Sequence, residues 1–275
     1  MPPLYSPALH SLIDWLVTSG VSADTAEEVA ASHLLKPPQP EAREPVQESS
    51  GSAAPVTNPV ALARPDIAVF DDLAGLNAFC TSWKEMGLAK MAGRSVLGIG
   101  MGTGGKMPAL MVIGDTPDDI EDRNGTAFSS PANAVIRQAI LQAGFPAEDV
   151  YFTYLSKWRP AGRRALTPYE VETCAQILAQ EIGFIRPKAI LALGESVTMA
   201  LKGDSATGSM KIYAVNKYKN QYLKYDSAIM SSQKGEFLVK NPAMKKSFWF
   251  SLLELAATTR QGKPFPGEPD VNYTE

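Results

Sequence analysis

Five carboxylates fall within eight residues of one segment: Asp115, Asp118, Asp119, Glu121 and Asp122, in the run from Gly114 to Phe128. Paired carboxylates can activate water or hold a divalent cation; the same residues also make an ordinary solvated acidic loop. Phe128 closes this polar run just before a helix, either as an aromatic platform or as a core residue. A second run, Thr153-Tyr154-Leu155-Ser156-Lys157-Trp158-Arg159-Pro160-Ala161-Gly162-Arg163-Arg164, joins bases to proline and glycine. That mixture suits phosphate contacts, with Lys157 and Arg159 as candidates, or a solvated turn. A third stretch, residues 202–246, carries nine lysines, Lys234 and Lys240 among them, against Asp204, Asp226 and Glu236, with Tyr213, Tyr218, Tyr222 and Tyr225 interleaved. Basic and aromatic residues alternating in this way are a nucleic-acid footprint, or else a hairpin solvated by lysine. Both histidines, His10 and His33, lie in the first 35 residues. Chemistry housed after residue 66 must therefore run without histidine.

The elements around these loops alternate. Asp71 to Gly87 reads as a helix, Ala109–Gly114 as a short buried strand, and 131–143 as a helix ended by Gly144. Val150 to Leu155 reads as a strand, and Thr167-Pro168 caps a long helix to about Ile185. Ala189–Gly194 is another buried strand followed by a helix from Ser196, and a strand near Ala228–Met230 precedes a helix from Pro242 to about Ala257. Strands alternating with helices imply a parallel sheet covered on both faces. The expected fold class is α/β: three layers, α/β/α, with a central, mainly parallel sheet. Ligands in such folds lie at the carboxyl ends of the strands, which directs attention to the loops after Ile113, Leu155, Leu193 and Met230.

Ahead of this domain, Ser6-Pro7 starts a helix with Leu9, Leu12, Ile13 and Leu16 on one stripe, Gly20 stops it, and Ser22 or Asp24 caps a second helix to about Leu35. This helical hairpin (1–35) either packs on its own domain or recruits a protein partner. Residues 36–65 hold seven of the 21 prolines and no aromatic residue, the composition of a flexible linker. The α/β domain then spans 66–260, followed by a tail over 261–275.

The whole chain has 275 residues, 45% hydrophobic and 20% charged, with a formal net charge of −3. That suits one sizeable soluble domain with appendages and gives no global nucleic-acid signature. No run of about 18 uncharged apolar residues offers a membrane span, and no secretory signal is read at the N-terminus. Two cysteines, Cys80 and Cys174, exclude a disulfide framework and suggest a reducing compartment, so a cytoplasmic location is expected.

Together the loops resemble the uracil-DNA glycosylase superfamily, closest to its iron–sulfur families 4 and 5. The family's first motif, G-E-x-P-G-x-x-E-D-x-x-G-x-P-F, is matched by Gly114, Pro117, Glu121, Asp122, Gly125 and Phe128; Asp115 stands for the glutamate, while Asp118 and Ala127 depart. The segment T-N-x-x-K-C-R-P-P, followed by P-x-E-x-x-x-C, is matched by Thr153, Lys157, Arg159, Pro160, Pro168, Glu170 and Cys174. Pro187–Gly194 is similar to P-K-x-I-x-x-L-G, and Phe237–Lys246 followed by Trp249 resembles Y-L-L-R-N-P-x-x-K-x-x-x-W. The resemblance covers about residues 70–258.

The resemblance implies a flipped base stacked on Phe128 and water assisted by Glu121 or Asp115, while the basic loops themselves offer Lys157, Arg159 and Lys240 to hold DNA. It also exposes departures. Tyr154 stands at the family asparagine that reads uracil, and a phenol lacks the paired donor and acceptor of an amide. Lys234 falls at the catalytic histidine, a cation able to substitute in part. Of four cluster thiolates only Cys80 and Cys174 remain, with Trp83 and Trp158 at the other positions, so no iron–sulfur cluster or other metal is expected. The function expected is a divergent superfamily member that binds or acts on DNA with uracil excision lost or altered, associated with the nucleoid. The alternative is an active glycosylase that hydrolyses the N-glycosidic bond of another damaged base.

Overall fold

The structure, a computed structural model, describes residues 7–31, 67–100, 107–202, 215–218 and 227–260. The linker expected over 36–65, the tail over 261–275, and much of the basic stretch (203–214 and 219–226) lie outside the described residues. Six strands form one sheet in the order β1-β3-β2-β4-β6-β5. The four central strands, β3 (Val150–Tyr154), β2 (Leu110–Gly114), β4 (Ala189–Leu193) and β6 (Ser227–Ser232), run parallel. All residues of β2 and β4 are buried. Their near-continuous apolar sequences are those of strands covered on both faces. The edges are antiparallel: β1 (Ile99–Gly100) pairs with β3 and β5 (Val215–Tyr218) with β6.

Two apolar clusters sit on the two faces. On one, α6 (Ala134–Gln142) and α10 (Pro242–Arg260) cover the sheet through Ile136, Ile140, Phe248, Trp249 and Leu252. On the other, α3 (Leu73–Ser82) and α7 (Pro168–Ile185) pack Leu76, Cys80, Ile177, Leu178 and Ile182 against Met111, Ile113 and Ile190. Thr167 and Glu170 form a reciprocal capping box at the start of α7, as the Thr-Pro signal predicts. Both terminal nitrogens of Arg164 donate to the Glu170 carboxylate at 2.6–2.7 Å, which holds that carboxyl below its ordinary value.

The N-terminal hairpin consists of α1 (Pro7–Thr18) and α2 (Ala23–Ala31), with Ser22 accepting from the Thr25 backbone N–H. Its apolar stripe is covered by this domain: Leu12, Trp15 and Leu16 are buried, the Trp15 ring stacks on Trp249 at 5.5 Å, and its indole N–H donates to the Val135 carbonyl. Lys245 reaches from α10 to donate to the backbone and hydroxyl oxygens of Ser19. The expectation that this stripe recruits a protein partner is therefore corrected, since the face that would do so is already buried against α6 and α10. Trp15→Ala is expected to cost about 3–5 kcal/mol of folding stability, measurable by urea unfolding. A loss below 1 kcal/mol would mean that the hairpin is a loosely attached appendage.

Candidate active site

A cleft of about 80 Å³ opens at the carboxyl ends of the parallel strands, lined by Asp115, Glu121, Phe128, Asn133, Tyr154 and Lys234, among others. A water needs about 10–15 Å³ of such space, so the cleft can hold several waters. Asp115 immediately follows β2, Tyr154 ends β3, and Lys234 lies two residues after β6. This is the strand-end location expected for an α/β sheet.

Glu121 sits at the centre of the buried wall. It belongs to α5 (Asp119–Asn124), whose capping box pairs the Asp118 side chain with the Glu121 backbone N–H and the Glu121 side chain with the Asp118 backbone N–H. One carboxylate oxygen, Oε2, accepts from the Asp118 N–H at 3.1 Å and the Tyr154 hydroxyl at 2.6 Å. The other, Oε1, accepts from Asn133 Nδ2 at 3.0 Å and the Ser130 N–H at 3.4 Å. Four donors saturate this carboxylate. It positions the wall and has no lone pair left to orient water, against the water-assisting role expected for it.

Tyr154 is held in the same net. Its hydroxyl donates to Glu121 and accepts from Asn133 Nδ2 at 2.9 Å. Burial and the neighbouring Glu121 charge raise its pKa well above the ordinary phenol value, so it stays a donor. Its ring lies on Phe128, with centroids 4.9 Å apart and planes 17° apart. Gly114 makes this possible, because a β-carbon there would run into the Tyr154 ring. Phe128 itself has φ 55°, an uncommon left-handed conformation outside glycine. Arg137 fixes it by donating to the Phe128 and Ser130 carbonyls.

Asp115 and Lys234 form the second half of the site. Lys234 Nζ donates to Asp115 Oδ2 at 2.6 Å. The lysine side chain is 55% exposed and the aspartate 9%. Among the described residues, Asp115 Oδ1 is buried without a hydrogen-bond partner. Gly194, at φ +106°, leaves room for the lysine stem: a β-carbon there would stand 3.1 Å from Lys234 Cε.

The structure thus brings Asp115, Glu121, Phe128, Tyr154 and Lys234 together. It does not place Lys157 on a DNA-facing surface. That side chain is buried, with Nζ 2.6 Å from Glu181 Oε2, 2.6 Å from Thr153 Oγ1 and 2.8 Å from the Tyr154 carbonyl, so the phosphate role expected for Lys157 is corrected. Its partner Glu181 comes from α7, out of reach of any local reading. Arg159 pairs with Asp119, which Arg163 also contacts at 3.2 Å. Lys240, the last residue of α9 (Gly235–Lys240), is exposed. The remaining carboxylate of the acidic loop, Asp122, accepts from the Gly93 and Arg94 backbone N–H groups. The five carboxylates do not converge, and among the described residues no group of three or more His, Cys, Asp or Glu is arranged to hold a metal ion. Asn133 is the site residue that sequence reasoning missed. Its only sequence signal is an amide following Ser130-Pro131, five residues after Phe128.

Comparison with known proteins supplies the context. Residues 101–253 match the model of the uracil DNA glycosylase superfamily. The type-4 uracil-DNA glycosylases of Archaeoglobus fulgidus and Pyrobaculum aerophilum are each 34% identical to this chain over 93 residues, 34% of this chain and 47% of the relative. The type-4 uracil-DNA glycosylase of Sulfurisphaera tokodaii is 25% identical over 167 residues, 58% of this chain and 76% of the relative. The chain thus spans about half the length of the first two relatives.

These relatives correct the expectation that an iron–sulfur cluster is absent, because they are of type 4, an iron–sulfur type. Cys80 and Cys174 are both buried, and burial pushes each thiol up to about 12. At the other two positions Trp83 and Trp158 stand with ring centroids 5.4 Å apart, and the Trp158 indole N–H donates to Ser95. This donor set is two thiolates short of a 4Fe–4S site and does not fit the group.

Proposed function

The chain belongs to the uracil DNA glycosylase superfamily, and we propose that it is a DNA-binding member, associated with the nucleoid of the cytoplasm, in which uracil excision is lost or altered. The observation that carries this reading is the Tyr154 ring on Phe128. A glycosylase stacks its extruded base on an aromatic or apolar surface and reads the base edge by hydrogen bonds. Here Tyr154 covers Phe128, and the hydroxyl at its tip is committed to Glu121 and Asn133. Uracil would have to displace the ring and leave the Glu121 carboxylate short of a donor.

A second reading is favoured by the other half of the site. Among the described residues, Asp115 keeps one buried oxygen unpartnered, beside the Lys234 cation. That pair has the chemistry to orient water and to face the negative charge that develops on a departing base. In this reading Asp115 is the water-orienting carboxylate, Lys234 stabilises the leaving group, and the substrate is a damaged base other than uracil. Release assays on oligonucleotides carrying uracil, hypoxanthine or xanthine separate the two. Release of none supports the first, and release of one of the purines supports the second.

DNA binding is tested separately. We expect weak affinity for single- or double-stranded DNA that falls steeply with salt as counterions are displaced. Changing Lys234 and Lys240 together to Glu should abolish most of it by fluorescence anisotropy. Unchanged affinity in that double variant would move the DNA contact to another face.

A further inference from the structure

We propose that Lys234 is a nucleophile that captures the aldehyde of an abasic site in DNA as a covalent imine. This rests on the DNA-binding reading above and adds a reaction to it. Three observations converge. The Lys234 amine is half exposed in the cleft, while its partner Asp115 is nine-tenths buried beneath it. Asp115 Oδ2 is 2.6 Å from the amine, and Oδ1 has no hydrogen-bond partner among the described residues, which leaves this carboxylate capacity for a proton. The aromatic face is closed by Tyr154 on Phe128, which penalises a nucleotide that carries a base and is indifferent to one that has lost it.

The chemistry balances without an oxidant or reductant. The ammonium gives one proton to Asp115 or to solvent. The freed lone pair attacks C1′ of the ring-opened deoxyribose, forming the C–N bond, and the carbonyl π pair moves to oxygen, which is protonated to the carbinolamine. Loss of water from that carbon leaves the protonated imine, which water reverses. Lysine amines form such imines with carbonyl substrates when a neighbouring group activates them. Gly194 keeps the lysine stem unhindered, its missing β-carbon being the atom that would crowd Lys234 Cε.

The test uses the full chain and a duplex with one preformed abasic site, incubated with cyanoborohydride, which reduces an imine to a stable amine. A one-to-one adduct on a denaturing gel is expected, mapped by mass spectrometry to Lys234. It should be absent with a tetrahydrofuran analogue that has no aldehyde. Lys234→Arg, which keeps the ion pair, should lower the yield about tenfold or more, and Asp115→Asn should slow the reaction by a similar factor. Lys90→Arg, at an exposed lysine outside the cleft, should leave the yield unchanged. No adduct, an adduct of equal yield in Lys234→Arg, or one mapped to another lysine overturns the proposal. Anisotropy on the same duplexes runs in parallel. Binding without an adduct removes the imine and leaves the DNA-binding reading intact, whereas no binding to any DNA removes both.

Discussion

Truncating Glu181 to alanine is expected to cost about 3–5 kcal/mol of folding stability, because it strands the Lys157 ammonium in the core. Glu181 accepts from Lys157 at 2.6 Å, Tyr151 at 2.9 Å and Thr153 at 3.0 Å, and both charged side chains are almost fully buried. The truncation also removes the acceptor of the Tyr151 hydroxyl. Replacing both charges, as Lys157→Met with Glu181→Leu, is expected to recover most of the loss, since an apolar pair of similar volume avoids the desolvation cost of two ions. Urea unfolding of the three proteins measures this. A single variant as stable as the parent, or a double variant worse than the single, would show that this pair is not what ties β3 to α7.

The second large effect concerns function. Tyr154→Asn should open the face of Phe128 and restore an amide at the base edge. It should not by itself give efficient uracil release, because Lys234 still occupies the position that the resemblance assigns to the catalytic histidine. Adding Lys234→His is expected to raise single-turnover uracil release by on the order of 100-fold over either single variant, the size of effect typical of one well-placed acid–base or charge-stabilising group. Gain only in the double variant supports a site in which two elements have diverged together. Full release by Tyr154→Asn alone would assign the whole block to the tyrosine, and no gain in any variant would count against both assignments.

The scaffold was legible because its signals are local. Continuous apolar runs at 110–114 and 189–193 mark strands buried on both faces, and Thr167-Pro168 fixes the start of α7. The edge strands β1 and β5 are two and four residues long and carry little sequence pattern of their own. Asp115, Tyr154 and Lys234 gather at one end of the sheet because each ends or follows a parallel strand. What the sequence hid was pairing across long separations. Lys157 reads as a surface base until Glu181, 24 residues on, is folded against it. Lys245 reads as part of a basic face until Ser19, 226 residues away, accepts its hydrogen bonds. Glu121 has the residue type of a catalytic acid, and only its four donors reveal a carboxylate already saturated. The same holds for Tyr154: the substitution is visible in the sequence, and the stacking that closes the site is not.

In the function proposed here, Tyr154, seated on Phe128 and tied to Glu121, keeps uracil out. Single-stranded DNA gives the cleanest test, since an extruded base there carries no unpairing cost and only the pocket decides. Single-turnover release of uracil from a single-stranded oligonucleotide by the unmodified protein should stay at the level of a no-protein control. Robust release under those conditions would overturn the proposed exclusion of uracil, because it would mean that the Tyr154 ring yields readily to the base.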